Sequence, residues 1–434
     1  MTHLTVNNKF VKSAIILLIG GSLTKIVGFI LKIIITRKIG TEGIGLYSMI
    51  GPTMSLLSVI AVFSYPAAIS TLVSNNNYSS RKLITSILPF SLLLNIIIII
   101  LVVLFAPYLS TNLLKNKDLY LPIICVAITI PFISFSSIVK GYFWGNQNMF
   151  PYMLSNFIEQ LTRLSLILLF IDKIYKISLI YSICFIILVN IVGEIISIII
   201  MILFIDNKKL SIRDFKVNFK DIKTILSICI PNTISKLIGS FSYFLEPIIL
   251  TNVLLFMNYT KNYITYEYGI INAYSLSLLL MPQFFTQNMS TALIPELSKH
   301  YGRNNYQMCI KRIKQIVAVS FTIGIISTLI IVIFPKFFLN ILYHTNEGVD
   351  YIRLLAPFTI IYYIEYPLIN ALQTIEASNE ILKITIITSI IRIITITLFS
   401  LLKIGMYSLV ISIVINILLS TYLYYNKLKK KLLL

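Results

Sequence analysis

Charged residues inside long apolar runs are the first candidates for chemistry, because a charge in hydrocarbon costs several kcal/mol unless it meets a partner or a wet cavity. Gly21, Lys25, Gly28 and Lys32 recur at i, i+4, i+7 and i+11, so two cations and two small residues share one helix face. A later run repeats the device with Asn232, Lys236, Gly239, Tyr243 and Glu246. Two readings compete for such lysines. They snorkel to a headgroup region while the glycines serve close helix packing, or they line a cationic cavity. Lys32, near the end of its run, fits snorkelling. Lys25 sits mid-run and recurs as Lys236, which fits a cavity where the two cations approach each other.

Other polar stripes are candidates of a second rank. Asn156, Glu159, Gln160 and Arg163 lie on one face, and Glu159 with Arg163 is an i, i+4 pair able to neutralise itself. Glu194, in a stripe with Asn190 and Ser197, has no local partner and is expected to be protonated or to pair with Arg163 or Arg392. Gln283, Gln287 and Thr291 line a face opposite Leu and Met, suited to saccharide hydroxyls or to interhelical hydrogen bonds. Tyr362, Tyr363, Glu365 and Tyr366 read as a polar lining. Glu159, Glu194 and Glu246 are the candidates for coupling to an ion.

Several classes are excluded. No phosphate-cradling G-x-x-x-x-G-K-[ST] is present, and His3, His300 and His344 make no metal-ligand spacing, so neither cofactor nor metal is expected. Cys125, Cys184, Cys229 and Cys309 are too far apart for a disulfide framework or a zinc site. An enzyme acting on a membrane substrate would need acidic residues in its outer loops. The first such loop offers only Glu42 beside Arg37 and Lys38, so no enzyme is expected.

The elements that must position these residues follow from composition. Of 434 residues, 57% are hydrophobic and 12% charged, with a mean hydropathy of +0.89. Soluble domains carry roughly a quarter charged residues, so the bilayer is the solvent. Span-length windows fall near Val11 to Ile35, Tyr47 to Val73, Leu83 to Ala106, Leu119 to Lys140, Tyr152 to Ile171 and Leu179 to Ile205. Six more lie near Lys223 to Leu255, Gly269 to Leu297, Ile316 to Pro335, Tyr351 to Thr374, Ile381 to Leu402 and Ile404 to Tyr425. Some exceed a straight span, which implies tilt or a break at Pro52, Pro66, Pro131, Pro231, Pro282 or Pro357. The expected fold is all-α, about twelve spans in two parallel six-helix lobes around a central cavity.

An internal repeat supports the two lobes. The run Leu23 to Gly28 resembles Ile234 to Gly239, Gly45 to Ser74 aligns without a gap on Gly269 to Ser298, and Arg163 falls on Arg392. Six helices per half is an even number, so the halves share one orientation. The lobes are expected over 1–205 and 224–434, joined by a basic cytoplasmic linker over 206–223. In that linker Phe215, Phe219 and Ile222 fall at helical spacing among lysines, as in an amphipathic helix on an anionic leaflet, or else the segment is a solvated loop.

The net charge of +20 sits mainly in short loops beside apolar runs, so the expected partner is lipid and not nucleic acid, and both termini are expected to be cytoplasmic. The polar stretch Met1 to Phe10 has no cleavage motif after it, and the first run reads as a retained helix.

Two segments carry a family resemblance. Lys38 to Tyr47, KIGTEGIGLY, and Lys140 to Met149, KGYFWGNQNM, leading into Ile158 to Arg163, resemble the stage V sporulation protein B family of the multidrug/oligosaccharidyl-lipid/polysaccharide exporter superfamily, which is related to lipid II flippases. The resemblance covers nearly the whole chain. It implies a flippase of the bacterial cell membrane that moves a polyprenyl-pyrophosphate-linked saccharide outward by alternating access. Lys25 and Lys236, supported by Arg163 or Arg392, would bind the anionic headgroup, Gln283 and Gln287 the sugars, and Glu246 would couple ion binding to lobe movement. A monomer is expected, with cell-wall synthesis enzymes as further partners. The alternative is a cation-coupled multidrug exporter of the same superfamily, dependent on Glu159, Glu194 and Glu246. A membrane glycosyltransferase stands third.

Overall fold

In a computed structural model the structure describes residues 8–74, 80–146, 148–205, 219–375 and 377–432, and every regular element among them is helical. Most of the linker expected over 206–223, and the first seven residues, lie outside the described residues. The helices are α1 (Asn8–Val62), α2 (Tyr65–Ser74), α3 (Ser80–Tyr108), α4 (Tyr120–Gly145), α5 (Met149–Tyr175) and α6 (Leu179–Leu203). Then follow α7 (Phe219–Phe256), α8 (Lys261–Gly269), α9 (Leu276–Leu280), α10 (Gln283–Gly302), α11 (Tyr306–Ile333), α12 (Pro335–Tyr343), α13 (Val349–Tyr362), α14 (Glu365–Thr374), α15 (Ser378–Leu401) and α16 (Tyr407–Leu432).

Ten described helices are long and apolar enough to cross a membrane. The first of these runs is 54 residues, about 80 Å at 1.5 Å per residue, against a hydrocarbon core of about 30 Å, so it holds more than one span. Besides the break between α1 and α2, one division falls at a single residue. Gly40, at φ 68° and ψ −175°, interrupts α1 where the sequence suggests a short loop, and the chain is helical on both sides. A positive φ costs glycine little, which lets one residue redirect the helix.

The prolines divide into two groups. Pro52, Pro131 and Pro357 lie within helices, as does Pro231 in α7. Pro66 and Pro282 stand at breaks. Phe63 and Ser64 take positive φ just before α2, and Pro282 caps α10. A further break separates α13 from α14, with Pro367 in the first turn of the new helix, where a missing N–H costs nothing.

The chain forms two compact units, residues 1–39 with 50–240, and residues 40–49 with 241–434. In the first, Tyr65, Ile69 and Leu72 of α2 bury against Leu83, Ile87 and Ile138, joined by Ile222, Ile225 and Cys229 from the start of α7. Ile222 is thus covered by protein, not by a membrane surface. In the second unit, Leu297, Cys309, Ile313, Leu368, Leu372, Ile384, Tyr424 and Leu428 form the core. On α3, Leu92, Leu93, Ile96, Ile97, Ile100 and Leu104 are exposed, an apolar stripe that only lipid can satisfy.

Within the first unit small residues let helices approach closely, since apolar burial gains little where the solvent is itself apolar. A Cβ on Gly145 of α4 would lie 2.6 Å from Val73 Cβ of α2, and one on Gly141 would lie 3.0 Å from Pro66 Cα. Gly145→Leu is expected to destabilise the unit by about 1–3 kcal/mol, as overpacking does. A fall in the thermal unfolding midpoint in detergent checks it; an unchanged midpoint would mean that α2 and α4 are not closely packed.

Candidate functional site

Within the membrane-spanning helices two clusters of titratable residues form, one per unit. In the first unit α5 presents Glu159 and Arg163 one turn apart, α6 adds Glu194 and α4 adds Lys140. Arg163 Nη2 donates to Glu159 Oε1 at 2.5 Å and to Glu194 Oε1 at 3.5 Å. Lys140 Nζ lies 3.8 Å from Glu159 Oε2 and 3.7 Å from Glu194 Oε2. Two carboxylates and two cations balance to zero formal charge, the arrangement a low-dielectric interior tolerates. Gly193 makes the room, because a Cβ there would fall 2.8 Å from Arg163 Nε and 3.1 Å from Glu159 Cγ.

In the second unit Arg392 of α15 pairs with Glu246 of α7, and the Tyr268 hydroxyl donates to the other oxygen of Glu246 at 3.0 Å. Glu246 and Tyr268 are almost wholly buried. The repeat thus keeps the arginine in register and changes the origin of its carboxylate, from α5 and α6 in the first unit to α7 in the second.

Lys25 and Lys236 have a different setting. Both are exposed, whereas Lys32 is half-buried. The glycine face of α1 meets α5: a Cβ on Gly28 would lie 3.7 Å from Gln160 Oε1, and one on Gly20 would overlap the Met153 side chain. Gln283 is buried and its amide donates to the Tyr362 carbonyl at 3.4 Å, just before the α13–α14 break; Gln287 is half-buried. At that break the Tyr363 hydroxyl donates to the Leu279 carbonyl at 2.8 Å, and Glu365 accepts from Ser420 Oγ at 2.9 Å.

Sequence reasoning pairs Glu159 with Arg163 and offers Arg163 or Arg392 to Glu194; Glu194 joins Arg163. It misses Lys140 and Tyr268 as members of the clusters, and Gly193 as the space beside them. Lys140 closes a run of apolar residues inside α4, and a cation there, still within the helix, is the signal that could have found it.

A cavity of about 280 Å³ opens in the second unit, lined by Tyr266, Glu267, Glu347, Asp350, Tyr351 and Tyr407 among others. Tyr266 donates to Glu347, and the Tyr351 hydroxyl donates to Glu267 Oε2 at 2.7 Å. Among the described residues no group of three His, Cys, Asp or Glu side chains is placed to hold a metal ion.

Helices long and apolar enough to span a bilayer, in two units that each bury a neutralised charge cluster, define a multi-pass membrane protein. The fold matches an inward-facing structure of a multidrug resistance MATE family transporter of the MOP superfamily, with a TM-score of 0.76 over 94% of each chain at 14% identity. It also matches a MOP superfamily transporter from Pyrococcus furiosus, with a TM-score of 0.67 over 98% of this chain and 95% of that one at 16% identity. Residues 10–301 match the model of the polysaccharide biosynthesis protein family, and the chain belongs to that family; residues 247–398 also match the MatE model. Among curated relatives, stage V sporulation protein B of Bacillus subtilis (strain 168) is 28% identical over 88% of this chain and 76% of its own length. Lipid II flippase MurJ of the same organism is 21% identical over 71% of this chain and 61% of its own.

Proposed function

We propose that this transporter is a flippase for a lipid-linked saccharide, a peptidoglycan precursor such as lipid II or a related polysaccharide intermediate, working by alternating access in the bacterial cytoplasmic membrane. One observation supports this above others. Glu159, Glu194 and Glu246 each have a cationic partner within their own unit, whereas Lys25 and Lys236 are exposed on their helices. A carrier of cationic drugs needs its carboxylates presented, and here they are engaged. A pyrophosphate headgroup suits presented lysines, each charged contact adding roughly 1.5–3 kcal/mol.

Relatives named as a stage V sporulation protein and a lipid II flippase support the same cargo class. In this reading both termini are cytoplasmic, by the excess of Lys and Arg in one set of loops. The lobes 1–205 and 224–434 rock about 206–223, and Glu159, Glu194 and Glu246 with their cations change partners as they do. Sugar contacts would come from Gln283 and Gln287, the first buried and the second half-buried.

The test is native mass spectrometry of the purified protein against lipid II, undecaprenyl phosphate and a hydrophobic cationic dye. Selective retention of the pyrophosphate lipid is the expected result. Retention of the dye with no pyrophosphate lipid bound would replace this reading with the drug exporter.

A further inference from the structure

Within the second unit, the ten residues 40–49 are remote in sequence from everything else in it, and their chain neighbours on both sides group with the first unit. They hold on through a backbone crossing. A Cβ on Gly45 would lie 2.5 Å from the Thr265 carbonyl oxygen, and a Cβ on Gly269 would lie 2.6 Å from Gly45 Cα. Neither position admits any side chain without separating the two backbones. Two polar contacts flank the crossing: the Tyr274 hydroxyl donates to Thr41 Oγ1 at 3.2 Å, and Thr265 Oγ1 lies 3.4 Å from Met49 Sδ.

The repeat gives this crossing its meaning. The ungapped alignment of Gly45 to Ser74 on Gly269 to Ser298 makes Gly45 and Gly269 the same residue of the two halves. Equivalent residues of a repeat therefore meet each other within this unit. A glycine with room around it stands at the start of the segment and another just past its end. Gly40 has a positive φ and nothing within 4 Å of an added Cβ, and Gly51, before Pro52, likewise meets nothing. A rigid contact between glycine-flanked ends is the form of a part that seats and unseats.

We propose that residues 40–49 are a releasable strap, seated on α8 through the Gly45–Gly269 crossing in the state described here and leaving that seat in the alternate state of the carrier. The strap rests on the alternating-access reading above, and its first test needs no cargo. Thr41→Cys serves as a reporter for a membrane-impermeant maleimide on the purified chain, read by peptide mass spectrometry. Buried Cys184 and Cys309 report in the same digest whether the fold is intact. Gly45→Ala and Gly269→Ala are expected to raise reporter labelling about tenfold, while Gly302→Ala, whose Cβ meets nothing within 4 Å, stays within about twofold. Unchanged labelling in both crossing variants, with Cys184 and Cys309 protected, overturns the strap.

If the alanine variants expose Cys184 or Cys309, a second arm keeps the native glycines. Thr41→Cys with Tyr274→Cys, bridged by a cleavable bifunctional thiol reagent in proteoliposomes, is expected to abolish movement of a pyrophosphate lipid and to regain it on cleavage. Undiminished movement across the bridged chain overturns the strap. Absence of lipid movement before bridging refutes the cargo assignment instead, and the strap is then decided by the same bridge's effect on reporter labelling at Ser48→Cys, which it must suppress.

Discussion

Lys25→Ala combined with Lys236→Ala is expected to abolish selective binding of the pyrophosphate lipid, lowering affinity by at least about 100-fold if each ammonium contributes even the lower part of the 1.5–3 kcal/mol of a charged contact. The single variants fall between, and Lys25→Arg with Lys236→Arg keeps most of the binding, because charge and not shape is the shared requirement. Both lysines are exposed, so neither replacement leaves a buried charge unpaired, and the folded state should survive. Native mass spectrometry in one lipid series separates the outcomes. Full pyrophosphate-lipid binding and translocation in the double alanine variant would sink the headgroup role. Dye binding that ignores the lysines would favour the drug-exporter reading.

The second large effect is on stability. Glu246 is 1% exposed, and its partners Arg392 and Tyr268 come from two other helices of its unit. Replacing one member of a buried ion pair leaves the other uncompensated, at a cost of about 3–5 kcal/mol, whereas replacing both with apolar residues is often neutral. Glu246→Gln alone and Arg392→Met alone are therefore expected to unfold at markedly lower temperature in detergent. The double variant Glu246→Leu/Arg392→Met should recover most of the loss. Additive losses in the double variant would mean that the two side chains do not act as a pair.

Transport in that double variant is the informative second reading of the same protein. A stable chain that no longer moves cargo would place Glu246 and Arg392 in the working cycle. A stable chain that still moves it would confine them to structure.

Much of the architecture is legible from hydropathy alone, because only helices and closed barrels satisfy the backbone in hydrocarbon and the apolar windows are of span length. Thus the window Leu179 to Ile205 becomes α6, Leu179–Leu203, and Ile381 to Leu402 becomes most of α15, Ser378–Leu401. What escapes is what one helix says nothing about. Helical period puts Glu159 and Arg163 on one face of α5, but the arrival of Lys140 from α4 depends on which helices are neighbours.

Breaks are legible only in kind. Six prolines are candidates, and Pro66 and Pro282 mark breaks because other residues there give up the helical ladder, Phe63 and Ser64 by taking positive φ. The α13–α14 break carries its proline after the interruption, in a first turn where proline is at home. Gly40 is the reverse case. A glycine between two apolar runs reads as a loop, yet α1 resumes directly after it.

The zero formal charge of the Glu159, Arg163, Glu194 and Lys140 cluster, and of Glu246 with Arg392, has an electrical consequence. A neutral group carried through a membrane field does no work against it, whereas each elementary charge crossing 100 mV exchanges about 2.3 kcal/mol. Moving these clusters with their helices therefore leaves the potential almost nothing to pull on. In the proposed cycle the exposed Lys25 and Lys236 would be the charges on which the potential acts, offset when an anionic headgroup is held, so loaded and empty movements are expected to respond to voltage differently.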